Sequence, residues 1–154
     1  MKFVFVIDTS PMMLLKSALK GEKVSSGMNY FQQSIFAIEE FINHRKRLNE
    51  FKTDKYYLMK SLSVGESPEA CILSSCEHPY RHFQHQLFNL RNTRDMIEVE
   101  RTLVEVIKTL NSNRFLYGSS NRLNGIQVTR IEPCNVIFFT ANARKFKGYN
   151  QFVE

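Results

Sequence analysis

The chain begins with an uninterrupted apolar run that stops at an acidic residue. Residues Phe3–Ile7 are all apolar, and Asp8 follows them directly. Such a run is typical of a strand that helices bury on both faces of a parallel sheet, and ligands of these sheets gather at the carboxyl ends of the strands. The pattern therefore predicts a buried strand over 3–8, with Asp8 at the edge of the sheet where function is expected.

Three later segments have the apolar spacing of an amphipathic helix. The first begins at Tyr30, where Asn29 and Gln32 have the spacing of a capping pair. It ends in the cationic run 44–47, which suits the negative end of the helix dipole. Its apolar stripe consists of Phe31, Ile35, Ile38, Phe41 and Ile42. The other two predicted helices cover 79–90 and 96–110.

Short apolar runs outside these helices predict three further strands, over 56–59, 70–73 and 134–140. The polar segments 9–29 and 117–130 predict loops, the first with a short helical turn within 12–20. The resulting order, β-α-β-β-α-α-β, favours an α/β fold in which helices flank a mostly parallel sheet in three layers, a Rossmann-like arrangement.

Length and composition narrow the class of protein. With 154 residues, 43% apolar and 23% charged, the chain is expected to form a single globular domain over 1–154. No apolar run approaches the ~18 residues of a membrane-spanning helix, and Asp8 ends the first run too early for a signal peptide. Three cysteines without a CxxC pair indicate a reducing compartment. We expect a soluble protein that is not secreted and has no membrane partner.

A formal charge of +6 permits an acidic partner or a nucleic acid. The basic residues that would form a nucleic-acid surface are Arg91, Arg94, Arg101, Lys108, Arg114, Arg130, Arg144, Lys145 and Lys147. Aromatic residues interleave poorly with them, and no glycine-rich phosphate loop is present. A solvated basic face is the simpler interpretation, and a nucleic-acid accessory module is retained as an alternative.

Asp8-Thr9-Ser10 carries the first candidate chemistry. An apolar strand that ends in aspartate is the position of the nucleophile in haloacid-dehalogenase-like phosphatases. That chemistry requires a second acid two residues later, where this chain has Ser10. A Mg²⁺-dependent hydrolase that uses Asp8 is therefore an alternative function.

The same tripeptide opens the D-x-S-x-S loop of von Willebrand factor A domains, which supplies oxygen ligands to Mg²⁺. Further stretches with a recognisable order and spacing are Phe5–Ser10, Asp54–Leu58, Phe83–Leu87 with Asn89-Leu90, Leu110-Asn111 with Asn113-Arg114, Gly118, Ile131–Pro133 and Val136–Thr140. In these stretches the chain resembles the N-terminal von Willebrand factor A domain of the Integrator complex subunit 6 family, and the resemblance covers most of its length.

The resemblance implies a metal-ion-dependent adhesion site that has degenerated. Asp8 and Ser10 match its first two ligands, but the third falls on Met12, whose thioether suits Mg²⁺ poorly. The family's threonine aligns with Ile97 or Glu98, and its last acid falls within 140–142, which reads Thr-Ala-Asn. We expect no tight Mg²⁺ binding, and expect Asp8 and Ser10 to cap or bridge backbone groups instead.

A zinc site is a further alternative. Its candidate ligands are Cys71, Cys76, His78, His82 and His85. The histidines recur at helical spacing, but no paired CxxC or HExxH motif is present, and Pro79 places His78 at the helix entry. The resemblance offers no support for this cluster, so zinc is not expected.

The resemblance implies a non-catalytic protein-interaction module with a nuclear role. Integrator acts with RNA polymerase II in small nuclear RNA processing and in transcription attenuation, and its subunit 6 helps to join protein phosphatase 2A to the complex. Other Integrator subunits and protein phosphatase 2A are thus the implied partners, in the nucleus. No residue is expected to be catalytic, and no cofactor is expected.

The resemblance also allows the length of the chain to be compared with that of a von Willebrand factor A domain. Von Willebrand factor A domains usually continue beyond the strand matched by 134–140, and only Ala141–Glu154 follow it here. The expectation is a domain truncated after its fourth core strand, with Val136–Phe139 incompletely covered. Exposed apolar edges invite pairing, so we expect the isolated chain to be unstable or to need a partner.

Overall fold

The computed structural model describes residues 1–16, 27–111, 121–123, 126–128 and 134–141. The helices are α1 (Tyr30–Arg47), α2 (Tyr80–Asn89) and α3 (Val99–Asn111), and the strands are β1 (Lys2–Ile7), β2 (Lys55–Lys60), β3 (Ile72–Ser74), β4 (Asn121–Leu123), β5 (Ile126–Val128) and β6 (Cys134–Phe139). Short 3-10 turns cover Pro11–Leu14, Glu50–Lys52 and Pro68–Cys71.

The main sheet has the strand order β3-β2-β1-β6. β1 lies parallel to both neighbours, so that Phe5 is aligned with Leu58 on β2 and with Ile137 on β6. β3 is antiparallel to β2. This mostly parallel α/β arrangement confirms the predicted fold class.

Burial on both faces explains the continuous apolar run of β1. Phe3, Phe5 and Ile7 pack on one side of the sheet with α1 and α2, whereas Val4 and Val6 pack on the other side with Val106 of α3. All five residues are buried. Removing such a side chain from water contributes about 1.5–3 kcal/mol, so the central strand anchors all three layers.

The start of α1 forms as its sequence predicts. Asn29 Oδ1 accepts the Gln32 N–H at 2.8 Å, and Gln32 Oε1 accepts the Asn29 N–H at 3.1 Å. This capping box satisfies two of the amides that a helix start leaves without a partner. Ile38 and Ile42 then lie fully buried against the sheet.

A partly buried ion pair lies at the opposite, amino edge of the sheet, where the Asp54 side chain is inaccessible to solvent. Arg45 donates from Nε to Asp54 Oδ2 at 2.6 Å and from Nη2 to Oδ1 at 2.8 Å, and it also pairs with Glu50. The Tyr56 hydroxyl donates to Asp54 at 3.1 Å. Burial raises the pKa of Asp54, but the hydrogen bonds from Arg45 and Tyr56 outweigh it and hold that pKa below its usual value. The carboxylate therefore stays charged in the folded protein.

Two predicted elements differ from the structure around the third strand and in the long loop. Pro68 starts a 3-10 turn that ends at Cys71, so the strand predicted over 70–73 begins two residues later, at Ile72.

The segment predicted as a loop over 117–130 contains the β4–β5 hairpin. An Asn-Gly pair at 124–125 joins these strands, and that pair is a strong signal for a tight hairpin turn. Residues 117–120, 124–125 and 129–130 lie outside the described residues.

Two helical predictions need smaller corrections. The turn predicted within 12–20 is a 3-10 turn over Pro11–Leu14, and residues 17–20 lie outside the described residues. α3 begins at Val99, so Met96 precedes the helix and is 79% exposed instead of lying on its buried face. The predicted helix over 79–90 is confirmed as α2.

β6 is less covered than β1. Val136–Phe139 are half-buried, and within the described residues β6 pairs with β1 alone. The predicted incomplete domain stays a prediction. None of the helices in the described part of the chain combines the length and apolar character needed to cross a bilayer.

Candidate functional site at the carboxyl edge of the sheet

Asp8 is the first residue after β1 and is fully buried. Its Oδ1 accepts the Ser10 N–H at 2.8 Å, and its Oδ2 accepts the Thr140 hydroxyl at 2.8 Å. Its own N–H donates to the Phe139 carbonyl at 2.9 Å. The carboxylate thus bridges the ends of β1 and β6, and each of its oxygens holds a hydrogen bond.

Thr9 joins the ends of β1 and β2. Its N–H donates to Ser61 Oγ at 2.8 Å, and the two hydroxyls lie 3.0 Å apart. The Ser61 N–H in turn donates to the Ile7 carbonyl at 3.0 Å. Both side chains are buried, so this contact fixes the backbone of the edge rather than exposing a nucleophile.

The segment after α2 binds across the same edge. Asn92 Nδ2 donates to the carbonyls of Thr9 and Ser10 at 3.2 and 2.9 Å, and the Thr93 N–H donates to the Thr9 carbonyl at 3.1 Å. Asn92 Oδ1 is buried without a hydrogen-bond partner among the described residues. Sequence reasoning missed both residues because neither belongs to a periodic element or a motif.

The segment that precedes α3 also reaches this edge. The Glu98 N–H donates to the Leu62 carbonyl, and Thr102 Oγ1 accepts the Leu62 N–H, each at 2.9 Å. Glu98, one of the two positions with which the resemblance aligns the family's threonine, thus lies beside the end of β2. The hydroxyl oxygen of Thr102, in the first turn of α3, accepts a backbone amide there.

Several apolar side chains are exposed in the loops at this edge. They are Met12, Leu14 and Leu15 after β1, Val64 after β2, and Met96 before α3, with exposures from 48% to 79%. Val64 and Met96 are neighbours, because the Val64 N–H donates to the Met96 carbonyl at 3.0 Å. We call these five residues the edge apolar set. Contiguous exposed apolar side chains, such as those of the neighbours Val64 and Met96, are a feature of surfaces that bind other molecules.

Three of the candidate zinc ligands, His78, His82 and Cys71, have other contacts in the structure. The His78 and His82 rings stack with centroids 4.2 Å apart, His78 Nδ1 accepts the Ser75 N–H, and His82 Nδ1 bonds with Ser74 Oγ. Cys71 is buried in the core. Within the described residues, no group of three or more His, Cys, Asp or Glu side chains is placed to hold a metal ion.

Three described members of the predicted basic surface have partners within the chain. Arg101 pairs with Glu98, and Lys108 pairs with Glu105. Arg91 donates from Nη1 to the carbonyls of Phe88 and Leu90. The other members of the predicted basic surface, apart from Arg94, lie outside the described residues: Arg114, Arg130, Arg144, Lys145 and Lys147.

These features define an α/β protein with a mostly parallel sheet and a candidate site at the carboxyl ends of its strands, consistent with a von Willebrand factor A-like three-layer fold. No protein-family model matches the chain. A curated protein, the Integrator complex subunit 6 homolog of Dictyostelium discoideum, is 28% identical over 140 residues. The match covers 91% of this chain but 12% of that protein, so the chain spans about an eighth of the length of the curated relative it matches. This similarity supports a distant relation to the Integrator subunit 6 family.

Proposed function

We propose that the chain is a non-catalytic protein-interaction module of the Integrator subunit 6 kind, which presents the carboxyl edge of its sheet to other proteins. Its proposed partners are Integrator subunits and protein phosphatase 2A, and its proposed setting is the nucleus, in small nuclear RNA processing and transcription attenuation. The distant similarity to an Integrator subunit 6 homolog supports the setting.

The observation that carries this proposal is the state of Asp8. A catalytic carboxylate must reach its substrate, whereas Asp8 has no exposed surface and uses both oxygens to hold Ser10 and Thr140. Thr9 and Ser61 are likewise buried and bonded to each other. The polar groups at this edge stabilise the backbone, and they support binding more than the hydrolase alternative.

We also propose that this edge binds Mg²⁺ weakly or not at all. Mg²⁺ prefers six oxygens in an octahedron and gives up its water reluctantly. The family's third ligand position holds Met12, whose thioether is a poor ligand for this ion. Asp8 would have to give up hydrogen bonds to coordinate the ion, so the donor set fits it poorly.

The edge apolar set supports a protein partner. Five large apolar side chains in three loops are kept in water at a free-energy cost that burial against a partner would remove, at about 25 cal/mol per Å² of apolar surface. A small-molecule substrate does not require that many exposed apolar positions.

Co-purification tests the proposed function. The tagged chain, expressed in cells and recovered from nuclear extract, is expected to bring down Integrator subunits together with the scaffold and catalytic subunits of phosphatase 2A. Recovery of the folded chain without these proteins would contradict the proposal.

A further inference from the structure

A pocket at the carboxyl edge of the sheet is lined by residues that favour one class of ligand. A pocket of about 230 Å³ lies between the ends of β1 and β2 on one side and the end of α2 on the other. The residues with polar side chains that line it are Thr9, Lys60, Gln86, Asn89, Arg91 and Thr93. Leu73 and Leu90 complete its wall.

The charged residues among those that line this pocket are both cations. Lys60 Nζ donates to Glu66 Oε1 at 2.6 Å, which uses one of the three N–H donors of an ammonium group. Arg91 is exposed, and its Nη1 bonds to the carbonyls of Phe88 and Leu90 at 2.8 and 2.9 Å, which orients its guanidinium group. The other nitrogens of Arg91 add donors in a planar fork that matches a carboxylate.

The ionisation of Glu66 determines the net charge beside the pocket, and therefore the charge of the ligand that would balance it. Burial raises the pKa of Glu66, but hydrogen bonds from Lys60 and from the Ser63 N–H outweigh it and hold that pKa below its usual value. Glu66 therefore neutralises one of the two cations, and the cluster of Lys60, Arg91 and Glu66 has a net charge of +1. A single carboxylate balances this charge, whereas a phosphoryl group carries about −1.5 to −2 and would exceed it.

We propose that this pocket receives the carboxylate of a glutamate or aspartate side chain from a partner polypeptide. The carboxylate lies against Lys60 and Arg91, the amide of Gln86 contributes a donor, and the leucines cover the methylene stem. The amide of Asn89 already donates to the His85 carbonyl at 2.9 Å and is not needed for this contact. A cavity of about 230 Å³ holds such a side chain. The proposal rests on the proposed function, because it names the chemistry by which the carboxyl edge recognises a partner.

The test uses fluorescence anisotropy with the full chain and a fluorescein-labelled glutamate-rich peptide. Lys60→Gln and Arg91→Gln are each expected to weaken binding about tenfold, since each removes a charge-assisted hydrogen bond. Matched controls are Lys55→Gln, at the opposite end of β2, and Arg81→Gln, in the first turn of α2, both exposed. The controls are expected to bind within about twofold of the parent chain, as rim charges contribute little.

A third variant tests the pocket even if Lys60→Gln fails to fold. Asn89→Asp adds a charge at an exposed residue of the pocket and is expected to abolish binding, whereas Asn43→Asp, on the exposed face of α1, is not. Thermal melts identify any variant that has unfolded.

Four outcomes would overturn the assignment. An equal loss in the pocket variants and their controls would show diffuse attraction to a basic protein, and equal binding of a peptide with glutamine at every glutamate would remove the need for a carboxylate. Stronger binding of a phosphoserine peptide, lost in Lys60→Gln and Arg91→Gln, would assign the pocket to phosphate.

If Integrator subunits co-purify and the acidic peptide does not bind, the pocket assignment fails alone. If the peptide binds and the subunits are absent, the proposed function fails alone.

Discussion

Asp8 Oδ2 accepts a hydrogen bond of 2.8 Å from the hydroxyl of Thr140, a residue that lies 132 positions away in the sequence. Where the sequence resemblance implies a metal-binding loop, a threonine hydroxyl donates directly to this carboxylate. The two strands that frame the candidate site are thereby joined by a hydrogen bond between side chains.

This relationship predicts the cost of removing the carboxylate. Asp8→Ala removes the buried carboxylate that accepts the Ser10 N–H and the Thr140 hydroxyl, and we expect it to lower the free energy of unfolding by about 2–4 kcal/mol. Asp8→Asn keeps one acceptor and is expected to cost less. Urea denaturation measures both, with the exposed Glu40→Ala on α1 as the control. Equal stability of Asp8→Ala and the control would contradict a structural role.

The same hydrogen bonds predict the response to Mg²⁺. Titration calorimetry of the folded chain is expected to show no sub-millimolar affinity for Mg²⁺ or Mn²⁺, because coordination would require Asp8 to give up hydrogen bonds and gain few oxygen neighbours. Sub-millimolar binding that disappears in Asp8→Ala would contradict this prediction and restore the metal-dependent alternatives.

Asp54, at the amino edge of the sheet, predicts how the stability of the chain depends on pH. Because the pKa of Asp54 is lowered on folding, its contribution to stability is present above the ordinary carboxyl value of about 4 and is lost as the pH falls through the lowered value. Urea midpoints measured across acidic pH are expected to fall more steeply in the parent chain than in Asp54→Asn. Parallel pH profiles would show that Asp54 is not the titrating group.

Removal of Arg45, the cation that pairs with Asp54, is expected to lower the free energy of unfolding. Arg45→Met leaves the fully buried Asp54 carboxylate without its main donor, which predicts a loss of about 3 kcal/mol. The exposed Arg47→Met on the same helix is the control and should lie within about 0.5 kcal/mol of the parent chain. A cost below about 1 kcal/mol for Arg45→Met would show that the pair contributes little.

Burial also predicts the reactivity of one thiol. Desolvation raises the pKa of Cys71 to about 11, and its side chain is inaccessible in the core. Cys71 is therefore expected to resist alkylation at neutral pH until the chain unfolds, whereas the half-buried Cys76 should react earlier. Peptide mapping after iodoacetamide treatment measures the order. Early modification of Cys71 would contradict the described packing.

The central elements were predictable because their signals are local. The unbroken apolar run of Phe3–Ile7 required a strand covered on both faces, and the Asn29–Gln32 pair marked the start of α1 at the correct residue. The placement of Asp8 at the carboxyl edge followed from the end of that run.

The rest of the site depends on contacts that no local pattern encodes. Asn92 and Thr93 bind the backbone of Thr9 and Ser10 across more than eighty positions, and their own sequence context gives no periodicity. The bidentate pair of Arg45 and Asp54 joins residues only nine positions apart, but it forms only when the end of α1 lies beside the start of β2. The β4–β5 hairpin is different, since the Asn-Gly pair at 124–125 was a readable signal.

The most direct test of the interaction module compares the edge apolar set with a matched site at the opposite end of the sheet. Leu14→Ser combined with Val64→Ser removes two exposed side chains of this set, and Leu48→Ser removes one of similar exposure after α1. Quantitative affinity purification from nuclear extract is expected to lose Integrator and phosphatase 2A subunits with the edge variant and to retain them with Leu48→Ser. Equal recovery by both variants would contradict a partner surface at the carboxyl edge.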